Sequence, residues 1–480
     1  MVDASFAKPT ALPAGLDSQI AAMAVAGSGG PTFSGAGSAS LNWIRNTVEA
    51  KVANIAELRA GDEISAANGK LSVTASDTST INSLAGAISI AGVGAKGSAG
   101  AVGASVAYNY LGGDPNNPAT TDNNVVRASI DNVSGSIKAS QVIVKAAYRG
   151  QINNITIAGS GAGSSSNSFA LGGSVSINRI RTTTDAHISG ASNLTTTGML
   201  ARSVHIDAED ASHIWVLAGG VGVAVATGSG ASGAAGVAVA INEITNTTKA
   251  EIENSKVTSA GGIEIDARSI SSIAALTFGV SLAVGTGGGG LAGSGAGAGS
   301  GNTVRNSVSS AVRNSLVANG KGIFANAGKL VLNATDSSTI MAGAGALSFG
   351  GSFGSGGGGA VSVGISATDN NIANTVSAYI DGATASVAGN NVEISASEAA
   401  VITAVTVGGS AAGAGGSGGG AAGAVAGAVS VNTTGNKALA YIANNSFAST
   451  TGSGSVLLTA TDSSTLVAIG GGLAGAGAGG

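Results

Sequence analysis

An all-β fold, an elongated parallel β-helix or β-solenoid, is what these 480 residues predict. Three observations carry the prediction. A degenerate repeat runs from end to end, apolar and polar residues alternate strictly inside each repeat, and asparagines recur at fixed places on otherwise apolar faces. The repeat is clearest in the phrase Leu330 to Ile340 and its relatives from Leu71, Val142, Val204, Ile263, Val392 and Val456. Its alanines, Ala75, Ala146, Ala208, Ala267, Ala334, Ala396 and Ala460, stand 71, 62, 59, 67, 62 and 64 residues apart. Units of that length cannot each bury a core, so they must stack and share one. One array is therefore expected over 1–480, with repeats at 14–70, 71–141, 142–203, 204–262, 263–329, 330–391, 392–455 and a partial 456–480.

The first element of each repeat is the marker strand. In it Val204, Ile206 and Ala208 share one face, and His205, Asp207 and Glu209 share the other. Period-2 alternation of this kind marks a half-buried strand. A Ser/Thr corner is expected after the acidic residue (Asp77, Asp210, Asp336, Glu398, Asp462), whose carboxylate would accept backbone N–H bonds there.

A Gly/Ala-rich tract follows, as in Gly219 to Gly236, Gly279 to Gly301, Gly350 to Gly359 and Gly408 to Gly427. Glycine this dense means either close backbone approach or a flexible excursion, and the sequence leaves both open. The tract ends in an alternating strand such as Val237 to Ile241.

The third element is the most regular. Asn242 to Asn254 recurs as Asn42 to Asn54, Asn178 to Gly190, Asn302 to Asn314, Asn370 to Gly382 and Asn432 to Asn444. An insertion, Gly112 to Asn117, precedes the copy around Asn124. By hydropathy the apolar face changes parity at Asn42, Asn178, Asn242 and Asn432, so a left-handed corner is expected there. Asn46, Asn124, Asn246, Asn306, Asn374 and Asn436 lie on the apolar face, where stacked side chains would pair as a ladder. At about 20 residues per coil a repeat would hold about three coils. The array would then be a rod roughly 100 Å long, with two wider coils per repeat as the alternative.

Composition narrows the function classes. Charged residues are 10% and the net charge is −4, with no basic run to neutralise a phosphate backbone, so nucleic acid is not an expected partner. Aromatics are 3% and cysteines are absent, so no disulfide framework or thiolate metal site is expected. No stretch reads as a membrane-spanning helix or a secretory signal. Asp17 to Gly30 opens near a repeat start and the chain stops in a Gly-rich tract, so a fragment of a longer array is expected.

The combination of Val-x-Ile-x-Ala-x-Asp, Gly/Ala tracts and Asn-x-Ile-x-Asn strands resembles the repeat regions of large bacterial exoproteins. These are the filamentous-haemagglutinin-like and leukotoxin-type filamentous adhesins, the β-strand repeat proteins. The resemblance covers the whole chain. It implies a right-handed β-helix, a secreted or cell-surface location, and roles in adhesion, aggregation or biofilm. It also implies export through an outer-membrane partner.

Chemical candidates are few. His205, Asp207, Glu209, Asp210 and His213 form the densest polar cluster and could make a metal patch or an acid/base pair. The flanking repeats hold Ile143, Lys145 and Ala147, then Glu264, Asp266 and Arg268, so a solvated face is the preferred reading. The recurring acidic residues could form a calcium ladder, but the nonapeptide that builds one is missing. No Gly-rich stretch is followed by the Lys-Ser/Thr of a phosphate loop. Trp43, beside Arg45, is expected to pack on a neighbouring loop. No catalytic, cofactor-binding or metal residue is therefore assigned.

The leading expectation is a non-enzymatic stalk or fibre whose partners are neighbouring repeats and a host or abiotic surface, a glycan or other cells. The alternative is a β-solenoid domain that binds glycans or cleaves polysaccharides at the His205–Glu209 face. An ice- or surface-binding solenoid is the third reading. Thr182 to Thr184 and Thr195 to Thr197 do not repeat as it would require.

Overall fold

Alternation at period 2 gives strands with one face for the core, and a repeat in register lets each strand pair with its own copy. The chain does this throughout, as a computed structural model that describes residues 2–6, 20–61, 69–92, 97–113 and 123–479 shows. Every strand pairing among these residues is parallel, and the strands fall into four sheets. The chain is thus an all-β parallel solenoid. No helix in the described residues is long and apolar enough to cross a membrane.

One repeat is one coil. Val392–Gly415 joins the long sheet, Gly420–Thr434 a facing sheet, Lys437–Ala443 a back sheet and Phe447–Thr450 a short sheet. Val456 then lies beside Val392. The expected three coils per repeat are therefore corrected to one, because each coil is far wider than assumed. Its long strand of 24 residues spans about 80 Å, while eight rungs stack to only about 34 Å. The expected rod of roughly 100 Å is replaced by a slab broader than it is tall.

The corner expected after the acidic residue is also absent in most rungs. Gln141–Ser164, Val204–Ala226, Ile263–Thr286, Leu330–Phe353 and Val392–Gly415 run straight through it. Lys70–Asp77 and Thr80–Gly92, and likewise Val456–Asp462 and Thr465–Gly479, are separate strands with a short break after the acidic residue, and Val2–Phe6 and Ile20–Gly30 are separate strands of the first rung. The repeat start at residue 14, the residues Asp17 to Gln19, and Asp114 to Asn117 of the insertion lie outside the described residues.

Two interiors result. Where the first half of the long sheet meets the back and short sheets, Ile, Val and Leu fill the space. Ile206, Ile252, Val257 and Ile265 are fully buried there, at about 1.5–3 kcal/mol for each side chain. The second half of the long sheet and the facing sheet form a thin two-sheet arm instead. Its interior is Ala, Gly, Ser and Thr, as in Ala275, Thr277, Gly279, Ser281 and Ala283.

The arm is thin because the backbones nearly touch. A Cβ at Gly236 would stand 2.0 Å from the Val280 carbonyl oxygen, and one at Gly279 2.2 Å from that of Gly297. Across the rungs the facing columns hold only Ala or Gly. They are Gly103, Gly172, Gly236, Ala296 and Gly364 on one side, and Ala158, Gly220, Gly279, Ala346 and Gly408 on the other. The inward glycines of the tracts are thus sites of close approach, and the tracts are paired strands, not flexible excursions.

The parity change at Asn42, Asn178, Asn242 and Asn432 does not exist. Val237, Val239 and Ile241 point outward and are exposed, whereas Asn242 and Ile244 point inward and are buried. Equating apolar with inward misplaced the corner. A left-handed corner does occur, at the end of the back-sheet strand, at Asn54, Asn132, Asn254, Asn314, Asn444 and Asn445, with Gly190 and Gly382 in the same place. Asn42, Asn109, Asn178, Asn242, Asn302, Asn370 and Asn432 form the amide ladder instead. Each of the first six donates Nδ2 to the next Oδ1 at 2.7–2.9 Å.

The second set of asparagines works differently. The Oδ1 of Asn306 accepts the backbone N–H of Asn246, and Asn374 does the same for Asn306. Their Nδ2 groups turn to the acidic row. Asn246 Nδ2 lies 2.8 Å from Asp210, and Asn374 Nδ2 lies 2.7 Å from Asp336.

Candidate functional site

Stacking at one coil per repeat brings residues 59 positions apart into contact. His205 lies beside Glu264 and Asp207 beside Asp266 on the outward face of the long sheet. The neighbouring rung adds Lys145, and a corner adds Arg202. Together they line a cleft of about 370 Å³. Ligand atoms of His205, Glu264 and Asp266 come within 4.8 Å of one another, close enough for three protein ligands of a divalent cation.

Ion pairs hold most of these groups. Lys145 Nζ sits 2.6 Å from Asp207 and 3.7 Å from Glu209, which also meets Arg149 and Arg268 at 3.5 Å. Arg202 pairs closely with Glu264. Burial, and the Glu264 carboxyl beside it, push Asp266 up to about 7. Burial pulls His205 down, so the imidazole is neutral and its Nδ1 stands 3.8 Å from Asp266. Chemically the cleft offers one near-neutral carboxyl, one neutral imidazole and carboxylates already matched by cations.

Only part of the cluster read from sequence assembles. His205, Asp207 and Glu209 share the outward face as expected. Asp210 is fully buried on the other face, and His213 lies farther along, bonded to Ser272 at 2.7 Å. Glu264 and Asp266, the flanking-repeat residues that spoke for a solvated face, turn out to complete the cleft. The 59-residue offset between Ala208 and Ala267 was the signal for this contact, hidden by the wrong number of coils.

The acidic row forms corners only after Asp77 and Asp462; Asp210, Asp336 and Glu398 lie within unbroken strands. Asp210 accepts Ser212 Oγ at 2.8 Å and Asn246 Nδ2, Asp77 accepts Ser79 Oγ at 2.7 Å, and Glu398 accepts Asn374 Nδ2 at 3.1 Å. In the unbroken strands the donors are side chains, because the strand's N–H groups are committed to the ladder, whereas at the Asp462 corner the Ser464 backbone N–H donates to the carboxylate at 3.0 Å as expected. N–H and O–H donors aimed at the carboxyls are the reverse of a cation cradle, which disfavours a calcium ladder here. Burial pushes Asp210 up to about 7 and Glu398 to about 8, and it raises Asp77 and Asp336 as well.

A second outward cluster went unread in the sequence. His187 on the back sheet places Nδ1 2.9 Å from Asp185 and Nε2 2.9 Å from Asp131. Although burial opposes it, hydrogen bonds to both carboxylates hold His187 charged up to about 9 and draw Asp131 down to about 2. With both ring nitrogens donating, this imidazolium bridges rungs and has no lone pair for base chemistry. Trp43 donates Nε1 to the Gly113 carbonyl at 2.7 Å with the Arg45 guanidinium over its ring, so it packs on a loop as expected.

No protein-family profile, curated protein or solved structure matches this chain.

Proposed function

We infer that the chain is a structural segment, the stalk or fibre of a secreted, surface-displayed bacterial adhesin that mediates attachment or aggregation, and that it is not an enzyme. The observation that carries this reading is the identity of the coils: rung after rung follows the same four-sheet path around one continuous interior. Stacks of that kind gain length and surface repetition with each repeat, which suits display and weak multivalent contact. The resemblance of the repeats to filamentous adhesins supplies the cell-surface setting, the outer-membrane secretion partner, and surfaces, glycans or other cells as targets.

Cells displaying the full-length parent should attach or aggregate, and shortening the array should weaken this. Unchanged attachment after removal of the whole array would overturn the reading. The cleft favours a second reading, glycan binding or cleavage, on one observation: Asp266 keeps a proton near neutral pH, as a general acid must. Polysaccharide cleavage abolished by Asp266→Asn would establish that reading. No cleavage across a polysaccharide panel, with or without chelator, is the expected result.

A further inference from the structure

The arm is built inside out. Its interior carries Ser281, Ser294, Ser348 and Ser362, buried and bonded to one another at 2.8–3.1 Å. Its outward faces carry the large apolar side chains. On the long sheet Leu276 is 52% exposed and Phe353 54%, and on the facing sheet Phe169 is 65% and Val361 57% exposed. Along the described outward positions of the arm, charge occurs only at its base, at Arg179, Glu243 and Asp369.

Each face measures about ten residues by seven rungs, or roughly 33 by 29 Å and on the order of 1,000 Å². The largest apolar patch on an ordinary monomer is about 300–600 Å², and a stable interface needs about 800 Å² from each partner.

We propose that the two outward faces of this arm are docking surfaces for second copies of the chain, packed long-sheet face against facing-sheet face. The relief of the two faces supports that pairing. The outward positions of the strand Leu291–Val304 are almost all glycine: Gly293, Gly295, Gly297, Gly299 and Gly301. Near the arm's tip this row opens into a trough of about 740 Å³ walled by Phe169, Leu171, Leu291 and Val361. The long sheet presents the matching relief, a ridge of Leu347, Phe349 and Phe353 on one rung beside Leu276, Phe278 and Leu282 on the next. A ridge on one face and a trough on the other make the contact heterologous, and because the two faces lie on opposite sides of a thin arm, copies stack in an open series.

A lipid bilayer fits the arm less well. Ser164 to Asn167, Thr227 to Gly230 and Gly354 to Gly357 put polar residues and bare backbone at the tip. Face-to-face packing keeps the tips in water.

This inference deepens the fibre reading, on which its biological purpose rests, but solution association tests it independently of attachment. The chain is compared with two charged variants, Leu347→Lys/Phe349→Lys on the long sheet and Val361→Lys/Ile365→Lys on the facing sheet. Sedimentation velocity is run from low to high micromolar concentration, with denaturation midpoints to confirm folding. The parent should form an open series of oligomers, and each variant alone should associate at least about tenfold more weakly. Mixed, the two variants should form a dimer and stop there, because each brings one intact face.

A monodisperse parent would overturn the proposal, as would association unaffected by either pair. Cofloatation of the parent with phosphatidylcholine or phosphatidylglycerol vesicles, without self-association, would assign the faces to a membrane instead. Should either variant fail to fold, Ser377→Lys on the outward back sheet and single Val361→Lys keep the comparison open. Only the latter should weaken association. Association without attachment by cells would refute the adhesin reading and leave this one standing.

Discussion

Replacing Gly236 with alanine tests the close approach that gives the arm its shape. The new methyl carbon would stand 2.0 Å from the Val280 oxygen, 2.5 Å from the Gly220 oxygen and 2.8 Å from the Val280 carbonyl carbon. All three are backbone atoms on the opposite sheet, so no side chain can swing away. Relief requires the sheets to part by about 1 Å over several rungs, in an interior packed to native density. Overpacking of this kind costs about 1–3 kcal/mol, and the backbone clash places Gly236→Ala at the upper end or above.

The control is Gly295→Ala on the outward face, where nothing lies within 4 Å of the added carbon. There the reduced freedom of the unfolded chain is the main effect, worth about 0.4–1 kcal/mol in favour of the variant. Urea denaturation of both variants at low protein concentration provides the measurement. Two midpoints close to the parent's would refute the argument that glycine is required at position 236.

Stability should also depend on pH in a stated direction. Asp210 holds its proton up to about 7 in the fold but loses it near 3.8 when unfolded. Between those values the native state binds more protons, so stability falls as pH rises, by about 4 kcal/mol in all. Glu398, raised to about 8, acts in the same direction. His187, raised to about 9, adds a loss above about 6.5. The melting temperature should therefore be higher at pH 5 than at pH 8, and Asp210→Asn should flatten the slope. A rising or level profile would contradict the assignment. Asn246→Asp sets a second carboxyl against Asp210 and should cost several kcal/mol, about 3–5 on the scale of a broken buried pair. Glu251→Gln on the outward face should shift stability by less than about 1 kcal/mol, the scale of its surface pairing with Arg313. Equal denaturation midpoints for the two would refute the face assignment.

The strands, their parallel stacking and the inward face of the marker and back-sheet segments were legible because those segments obey apolar-in, polar-out alternation. The arm was not, because it reverses the rule. Val237, Val239 and Ile241 lie outside while Gly236, Ala238 and Ala240 lie inside. Steric thinness, not hydrophobicity, selects the inner residues there, and a reading by hydropathy alone turns such a strand over. The number of coils was lost for the same reason: a strand of 24 residues looks like two when its middle holds Ser, Asp and Gly. The cleft inherited that error, since Glu264 and Asp266 meet His205 and Asp207 only when one repeat makes one circuit. The left-handed corner was visible in Asn54, Asn254 and Asn314, the last residues of the regular segment, but was assigned to the asparagines that open it.

The most direct test of one repeat as one coil is to excise Ala334–Ser395, the 62 residues from one marker alanine to just before the next. The account predicts a folded chain with cooperative unfolding, the same cross-section in solution scattering, and a stack shorter by about 4.8 Å. Excision of Ala334–Gly364 should instead turn strands out of register and cause aggregation. Shortening by about 14 Å, or equal tolerance of both excisions, would contradict it.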